Sequence, residues 1–469
     1  LKSFRALAAA AALAAVAGCT THAPVRSEAS PVATSAERLA TAEGRREAAA
    51  HSVEVHPEFT LAVVEFDDQG RFWDRRQLEL LESTLEAEAA RPEVGGVIVG
   101  VFAHGWQHDG SLCDQNVACF RTFLRQIARD GDALRRASNG RVVPRRVVGV
   151  FVSWRGRSAT VRPLSDLTFW ARKRVAHKIG SGDLIELLTR VDVFVKRQNV
   201  SHVDRARLVI IGHSFGGTMV FDALANILKQ RVTAALVEDR RAPGHAVIEG
   251  FGDLVVLVNP AFEAALYRSL HDLSRSFHGF APQQGTVLVI VASETDMPNK
   301  TWFPLGRALE TVWEKTARKE DGALLRTAVG NYEAFFGYRL TAAPGAARPP
   351  APGASFGAPD PRCLCELPLE DVNEEQLVDL ARRVAALGSP EPADASPAPG
   401  ALSRFGRAEL ARLGDTDPKN PFWVVRASDE VIHGHSGFFT NAYTDFVRGV
   451  VLEAVSRRTR PATIPKGDS

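Results

Sequence analysis

The 469-residue chain is poor in cysteine, carries no long run of one charge and has no apolar stretch long enough to cross a bilayer. Its five cysteines are Cys19, Cys113, Cys119, Cys363 and Cys365. No second cysteine pair at ligand spacing lies near either internal pair in sequence, so the pattern does not read as a zinc site and no metal is expected. A net charge of +2 and a pI near 8.3, without a long basic stretch, give no reason to expect nucleic acid as a partner. The apolar run at residues 6–17 falls short of the roughly 20 residues a transmembrane helix needs. No internal repeat is visible. What is present is ordinary: 45% apolar and 24% charged residues, the balance of a globular body that folds in water. The length allows one large domain with additions, or two.

Lys2 and Arg5 precede the short apolar run, which has the length of a signal-peptide core. The run ends in Val16-Ala17-Gly18-Cys19, which resembles the lipobox of bacterial lipoproteins. That resemblance implies cleavage of residues 1–18, lipidation of Cys19, and an exported protein anchored by lipid to a membrane of the bacterial envelope. Residues 19–55 are rich in Ala, Ser, Thr, Pro, Arg and Glu with little large apolar content, and read as a flexible tether. Export also places the internal cysteines outside the reducing cytoplasm, where a disulfide between Cys113 and Cys119 is expected.

Beyond the tether, short Val/Ile/Leu-rich runs alternate with helical-length segments. The runs lie at residues 59–66, 96–103, 146–154, 207–212, 253–258, 286–292 and 422–426. Between them the apolar spacing approaches 3.6, as at Leu184, Leu187, Leu188, Val191 and Val195. This is the α/β pattern of a mostly parallel sheet with helices on both faces. The core is expected over residues 56–340, with a last strand, a histidine loop and a final helix over 418–460. Two segments break the rhythm. Residues 155–178 combine seven Arg and Lys with Phe169 and Trp170, and read either as a cap over a site, as a basic surface, or as a solvated helix face. Residues 341–417 hold two Ala/Pro/Gly-rich stretches around a short helical candidate at 374–387, and read as a surface excursion.

The run Gly212-His213-Ser214-Phe215-Gly216 follows Leu208-Val209-Ile210-Ile211 and precedes a helical pattern from Thr218 to Leu224. A serine held at such a strand-turn-helix junction projects its hydroxyl, and the flanking glycines let strand and helix approach. Ser214 and its setting resemble the nucleophile elbow of the α/β-hydrolase superfamily, the fold of many esterases and lipases. The similarity extends over residues 59–338 and 418–455. It implies an oxyanion hole from the backbone N–H of Phe215 and from the loop after an earlier strand, where His104-Gly105-Trp106 would supply the Trp106 N–H. His104 is then expected to orient that loop.

The same resemblance sets the order serine, acid, histidine. The acid should follow a later strand, and Ser293-Glu294-Thr295-Asp296 follows the run at 286–292; Asp296 is the choice and Glu294 the rival. The base should lie between 427 and 437, where His435 in Gly434-His435-Ser436-Gly437-Phe438 is favoured over His433. Asn259-Pro260-Ala261, at another strand end, is expected to shape the cleft wall. The expected activity is hydrolysis of a carboxylic ester, or of an amide or thioester, through an acyl-enzyme on Ser214 without a cofactor. Small ester or lipid-like molecules would be the substrates. A non-catalytic envelope lipoprotein using the same fold for binding, or an acyltransferase, are the alternatives.

Overall fold

The computed structural model describes residues 22–137, 145–157, 168–201, 205–282, 284–311, 314, 316, 318, 321–345, 363–365, 402–414 and 416–458. Its centre is a twelve-stranded sheet. In chain order the strands are β1 (Glu28–Ala33), β2 (His51–Val55), β3 (Phe59–Phe66), β4 (Val97–Ala103), β5 (Arg146–Trp154), β6 (Ala206–His213), β7 (Leu254–Val258), β8 (Leu288–Ser293), β9 (Tyr338–Ala342), β10 (Leu402–Phe405), β11 (Ala408–Arg412) and β12 (Phe422–Ala427). They lie in the order β1-β2-β3-β5-β4-β6-β7-β8-β12-β9-β11-β10, and from β3 across to β9 every neighbouring pair is parallel.

The seven apolar runs of the sequence are the seven consecutive strands from β3 to β12 in that order. Strands β3, β5, β6, β7 and β8 are buried along their whole length, because helices cover both faces and leave no side for polar residues. Side chains alternate between the two layers. Leu208 and Ile210 of β6 join one core with Val148, Val150, Val255 and Leu257. Val209 and Ile211 join the other with Phe102, Phe151, Val256 and Val258. The first core is covered by α1 (Arg75–Ala89), α3 (Phe169–Gly180), α4 (Leu184–Ser201), α5 (Phe215–Arg241) and α6 (Ala264–Ser274). The second is covered by α2 (Gln115–Ala137) and α8 (Asn441–Arg458), while α7 (Phe303–Glu310) lies beyond the end of β8. Among the described residues no helix is long and apolar enough to cross a membrane.

The order reverses between β4 and β6. From β4 the chain returns through α2 to β5, whereas from β6 it continues through α5 to β7, so two adjacent parallel strands send their exits to opposite faces. A crevice therefore opens at their carboxyl ends, the place where open α/β sheets seat their ligands.

Three expectations require correction. Residues 28–55 are folded: β1 and β2 extend the sheet beyond β3, joined by two short helices. The composition misled because a small apolar cluster, Val32, Leu39 and Ala48 against Leu112 and Cys363, is enough once buried polar contacts fix the segment. Arg26 is buried and donates to the carbonyls of Gly110, Ala48 and His51 at 2.8, 3.2 and 3.1 Å and to Glu54 at 2.9 Å. Arg121 of α2 holds the same carboxylate through two bonds of 2.7 Å. Burial alone would raise the Glu54 carboxyl, but the Arg121 and Arg26 guanidinium groups overcome it and hold it well below the usual carboxylate range.

The second correction concerns the cysteines. Cys113 pairs with Cys363 and Cys119 with Cys365. Helix α2 starts between Cys113 and Cys119, so both face the Cys363–Cys365 segment instead of each other. The third concerns residues 341–417, whose described parts include the hairpin β10–β11. It turns at Gly406 with φ of 54°, pairs with β9 and packs its Phe405 beside Gly449 of α8. The helical candidate at 374–387 lies outside the described residues, as do Cys19 and the signal peptide.

Replacing Arg26 with Ala leaves three buried carbonyls without their donor and Glu54 with one guanidinium fewer. The Arg26→Ala protein is expected to lose about 3 kcal/mol in urea unfolding at neutral pH. Since the folded state depresses Glu54, its contribution is complete above the unfolded value of about 4.3 and is lost as pH falls through the lower folded value. The difference between wild type and variant should therefore shrink on acidification. Peptide mapping without reductant should recover Cys113 linked to Cys363 and Cys119 linked to Cys365; a Cys113–Cys119 peptide would contradict the structure.

Candidate active site

Ser214 stands between the last residue of β6 and the first of α5, with φ 56° and ψ −119°. An L-residue held there costs on the order of 1–3 kcal/mol, so the surroundings must over-determine it. They do: the Ser214 N–H donates to Val258 O at 3.0 Å, and the Ser214 carbonyl accepts from Ala261 N at 3.2 Å and Thr218 N at 3.2 Å. A Cβ on Gly216 would collide with the carbonyl of Ala103, and one on Gly212 would lie 2.8 Å from Gly216 O. The steric reason expected for the two glycines is thus met by backbone on both sides.

His435 reaches Ser214 from a different part of the chain. The loop after β12 forms a narrow hairpin, closed by reciprocal 3.1 Å bonds between His433 and Gly437. Gly434 carries φ of 60° and His435 stands at the tip. Its Nε2 is 2.8 Å from Ser214 Oγ and its Nδ1 2.8 Å from Asp296 Oδ1. The carboxylate can only accept from Nδ1–H, which leaves the Nε2 lone pair for the serine hydroxyl.

Asp296, fully buried, follows β8. Asn299, in the π-helical turn Pro298–Trp302, donates its N–H to Asp296 Oδ1 at 3.1 Å and its Nδ2 to Oδ2 at 2.8 Å. Both rivals lie elsewhere. Glu294 accepts from Asp429 N at 3.3 Å and faces Arg339 at 3.7 Å. His433 is exposed and pairs with Asp429 at 3.0 Å. The structure joins Ser214, His435 and Asp296 and leaves Glu294 and His433 outside the chain of hydrogen bonds.

The loop after β4 closes the other side. A Cβ on Gly105 would lie 2.8 Å from Ser214 Cβ, so the backbone on either side of Gly105 runs against the serine. Phe215 opens α5, and the N–H of a first helical residue has no carbonyl one turn earlier to bond. His104 has the orienting role expected of it. It is buried, its Nε2 accepts from Trp154 N at 3.2 Å, and its Nδ1 lies 2.9 Å from Gly105 O. Burial pushes its pKa down to about 4, which keeps the ring neutral. The Trp106 ring meets Phe169 edge-on at 5.4 Å, and Phe169 lies 4.8 Å from Phe215, giving an aromatic wall.

Two residues matter more than the sequence indicated. Asn259, with φ of 44°, accepts from Ser293 N at 2.8 Å through Oδ1. Its Nδ2 donates to the carbonyls of Gly434 and His435 at 3.2 and 2.7 Å. It therefore ties the ends of β7 and β8 to the histidine hairpin, and the only prior sign was a polar residue at a strand end. His213 Nε2 lies 3.0 Å from His435 O. Burial first, and the neighbouring His435 second, hold His213 well below the ordinary histidine value, so it is a neutral donor. Of the basic segment, Arg172 and Arg155 bind Asp68 at 2.7 and 2.6 Å and Lys173 binds Glu263, so much of its charge is paired inside the fold. Among the described residues no group of three or more His, Cys, Asp or Glu is placed to hold a metal ion.

Asn259→Ala removes the two Nδ2 bonds to the Gly434 and His435 carbonyls at an expected cost of about 1–3 kcal/mol in local stability. Amide hydrogen exchange at residues 433–437 should then quicken by about tenfold or more, with strands β4 and β5 unchanged.

No protein-family description matches the chain, no curated protein matches it, and no solved structure matches it.

Proposed function

We propose that the chain is a serine hydrolase of α/β-hydrolase type that cleaves a carboxylic ester through an acyl-enzyme on Ser214. One observation carries this reading: His435 lies 2.8 Å from Ser214 Oγ and 2.8 Å from Asp296, although the three come from separate strand ends. A serine hydroxyl is a weak nucleophile at neutral pH, and an adjacent imidazole whose tautomer is fixed by a carboxylate is what activates it.

In the proposed reaction Ser214 Oγ attacks the ester carbonyl while its proton passes to His435 Nε2. Asp296 steadies the imidazolium. The N–H groups of Phe215 and Trp106 stabilise the oxyanion, as Gly105 against Ser214 supports. His435 then gives its proton to the departing alkoxide, and a water activated by the same imidazole releases the acid. The strain at Ser214 favours this role, since such strain collects where a side chain must be aimed. Two disulfides suit export to an oxidising compartment, in keeping with a lipid anchor at Cys19.

A fluorophosphonate probe is expected to label the wild-type protein once, on Ser214. Ser214→Ala should abolish the adduct and His435→Gln should slow labelling by at least about a hundredfold, whereas His433→Gln should leave it unchanged. Equal labelling of wild type and Ser214→Ala would sink the proposal.

A further inference from the structure

We propose that the protein is held with the carboxyl end of its sheet facing the membrane, so that Ser214 takes its ester from lipids of the bilayer that carries the Cys19 anchor. The substrate half of this inference rests on the hydrolase reading, and the orientation on lipidation of Cys19.

The N-terminal segment is the starting point. Val25 N–H donates to Glu65 Oε1 at 3.0 Å and Arg26 N–H to Glu65 Oε2 at 2.8 Å, while the Arg26 side chain is buried. His22 lies over Trp73 with ring centroids 4.9 Å apart, and 3.9 Å from Asp68. Glu65 is the penultimate residue of β3 and Asp68 follows the strand, so the chain joins the body at the carboxyl end of β3. Because β3 is parallel to its neighbours up to β12, this is also the end that carries Ser214, Asp296 and His435.

The leash is short. Six residue steps separate Cys19 from Val25 (25 − 19). Whatever their conformation, they span at most about 20 Å, at roughly 3.3–3.6 Å each. A folded chain of this size is about 60 Å across, so a lipid at Cys19 keeps the site end close to the bilayer and the opposite end away from it.

What that end displays fits a lipid surface. Met297, next to Asp296, and Leu305 of α7 are each 59% exposed, and Leu266 in the first turn of α6 is exposed as well. Arg174 and Lys178 of α3 are exposed as well and offer charge to anionic head groups. Exposed apolar residues and exposed cations at the end of the sheet where the chain is attached are the composition of a surface that rests at a membrane interface. Ser214 is only 2% exposed, and its neighbour Phe215 and the loop residue Trp106 both pack on Phe169, an aromatic cluster at the same end of the sheet.

The test uses the full-length protein, purified from bacterial membranes and reconstituted in phosphatidylethanolamine–phosphatidylglycerol vesicles. A photoreactive benzoylphenylalanine replaces Met297, Leu305, Glu93 or Val247 in turn, the last two preceding β4 and β7 at the opposite end of the sheet. Illumination should give lipid adducts at 297 and 305 and few at 93 and 247. Equal or reversed yields, adducts to protein instead of lipid at 305, or an unacylated Cys19 by mass spectrometry would overturn the orientation. A second protein carries 24 Gly and Ser residues between Cys19 and His22. Lengthening the leash about fivefold should lower the rate on a long-chain ester embedded in the vesicles by about tenfold, because effective concentration falls roughly as the −3/2 power of tether length. Its rate on a short soluble ester and its fluorophosphonate labelling should not change. An unchanged vesicle rate would overturn the membrane source of the substrate. Absence of labelling in both proteins would overturn the hydrolase reading and with it the substrate half, leaving the adducts to decide orientation alone.

Discussion

The backbone approach between β4 and the turn after β6 governs the rest of the site. Gly216 has no room for a side chain because the carbonyl of Ala103 occupies its place, and Gly105 has none because Ser214 does. Two parallel strands whose exits diverge to opposite faces leave a crevice, and here two glycine-bearing turns fill it until their backbones touch. The strained geometry of Ser214 follows from this crowding. So does the position of the Phe215 N–H, since α5 must begin where the turn ends. A larger residue at either glycine would force the two turns apart before it altered any charged group.

The sheet was legible because burial on both faces writes itself as unbroken apolar runs, and each of the seven runs is a strand. Strands β1, β2, β9, β10 and β11 lie toward the edges, where one face or one side is open and polar residues interrupt the pattern. Glu28 and Ser403 of the edge strands, and Glu409 one strand further in, cannot be told from a linker by composition. Ser214, Asp296 and His435 could be picked out because each lies in the turn or loop that follows an apolar run. Choosing Asp296 over Glu294 depends on two residues of loop geometry, and His435 over His433 on which of them stands at the tip of the hairpin. Neither has a periodic signature. Asn259 left still less trace, since its importance lies in three hydrogen bonds to backbone far away in sequence.

Residues 22–55 fold despite their composition, for reasons of the same kind. A segment with few large apolar residues fails to fold when it has nothing else to order it. Here a buried arginine supplies four bonds, three of them to main-chain carbonyls, and its carboxylate partner is shared with Arg121 of α2. Arg121 also lies two residues beyond Cys119, whose disulfide reaches Cys365. The N-terminal strands, the start of α2 and the 363–365 segment are thus joined around one place by ions, hydrogen bonds and covalent bonds. Long-range pairing of this kind has no local sequence pattern, so it emerges only when the chain is folded.

The histidines around Ser214 also divide by burial. His104 is pushed down to about 4 and His213 well below its ordinary value, in both cases because burial disfavours the cation. His213 adjoins Ser214 in sequence, and its ring centroid is 5.2 Å from that of His435. Were His213 to carry a charge, it would repel the imidazolium that the proposed reaction creates on His435. Kept neutral, it donates to the His435 carbonyl instead and helps hold the hairpin in place. Asp296 then faces a single transient cation, with its second oxygen already held by Asn299, and its field is spent on His435 rather than divided among neighbours. Burial thereby separates the histidine that should move a proton from the two that should only shape the site, without a change in residue type.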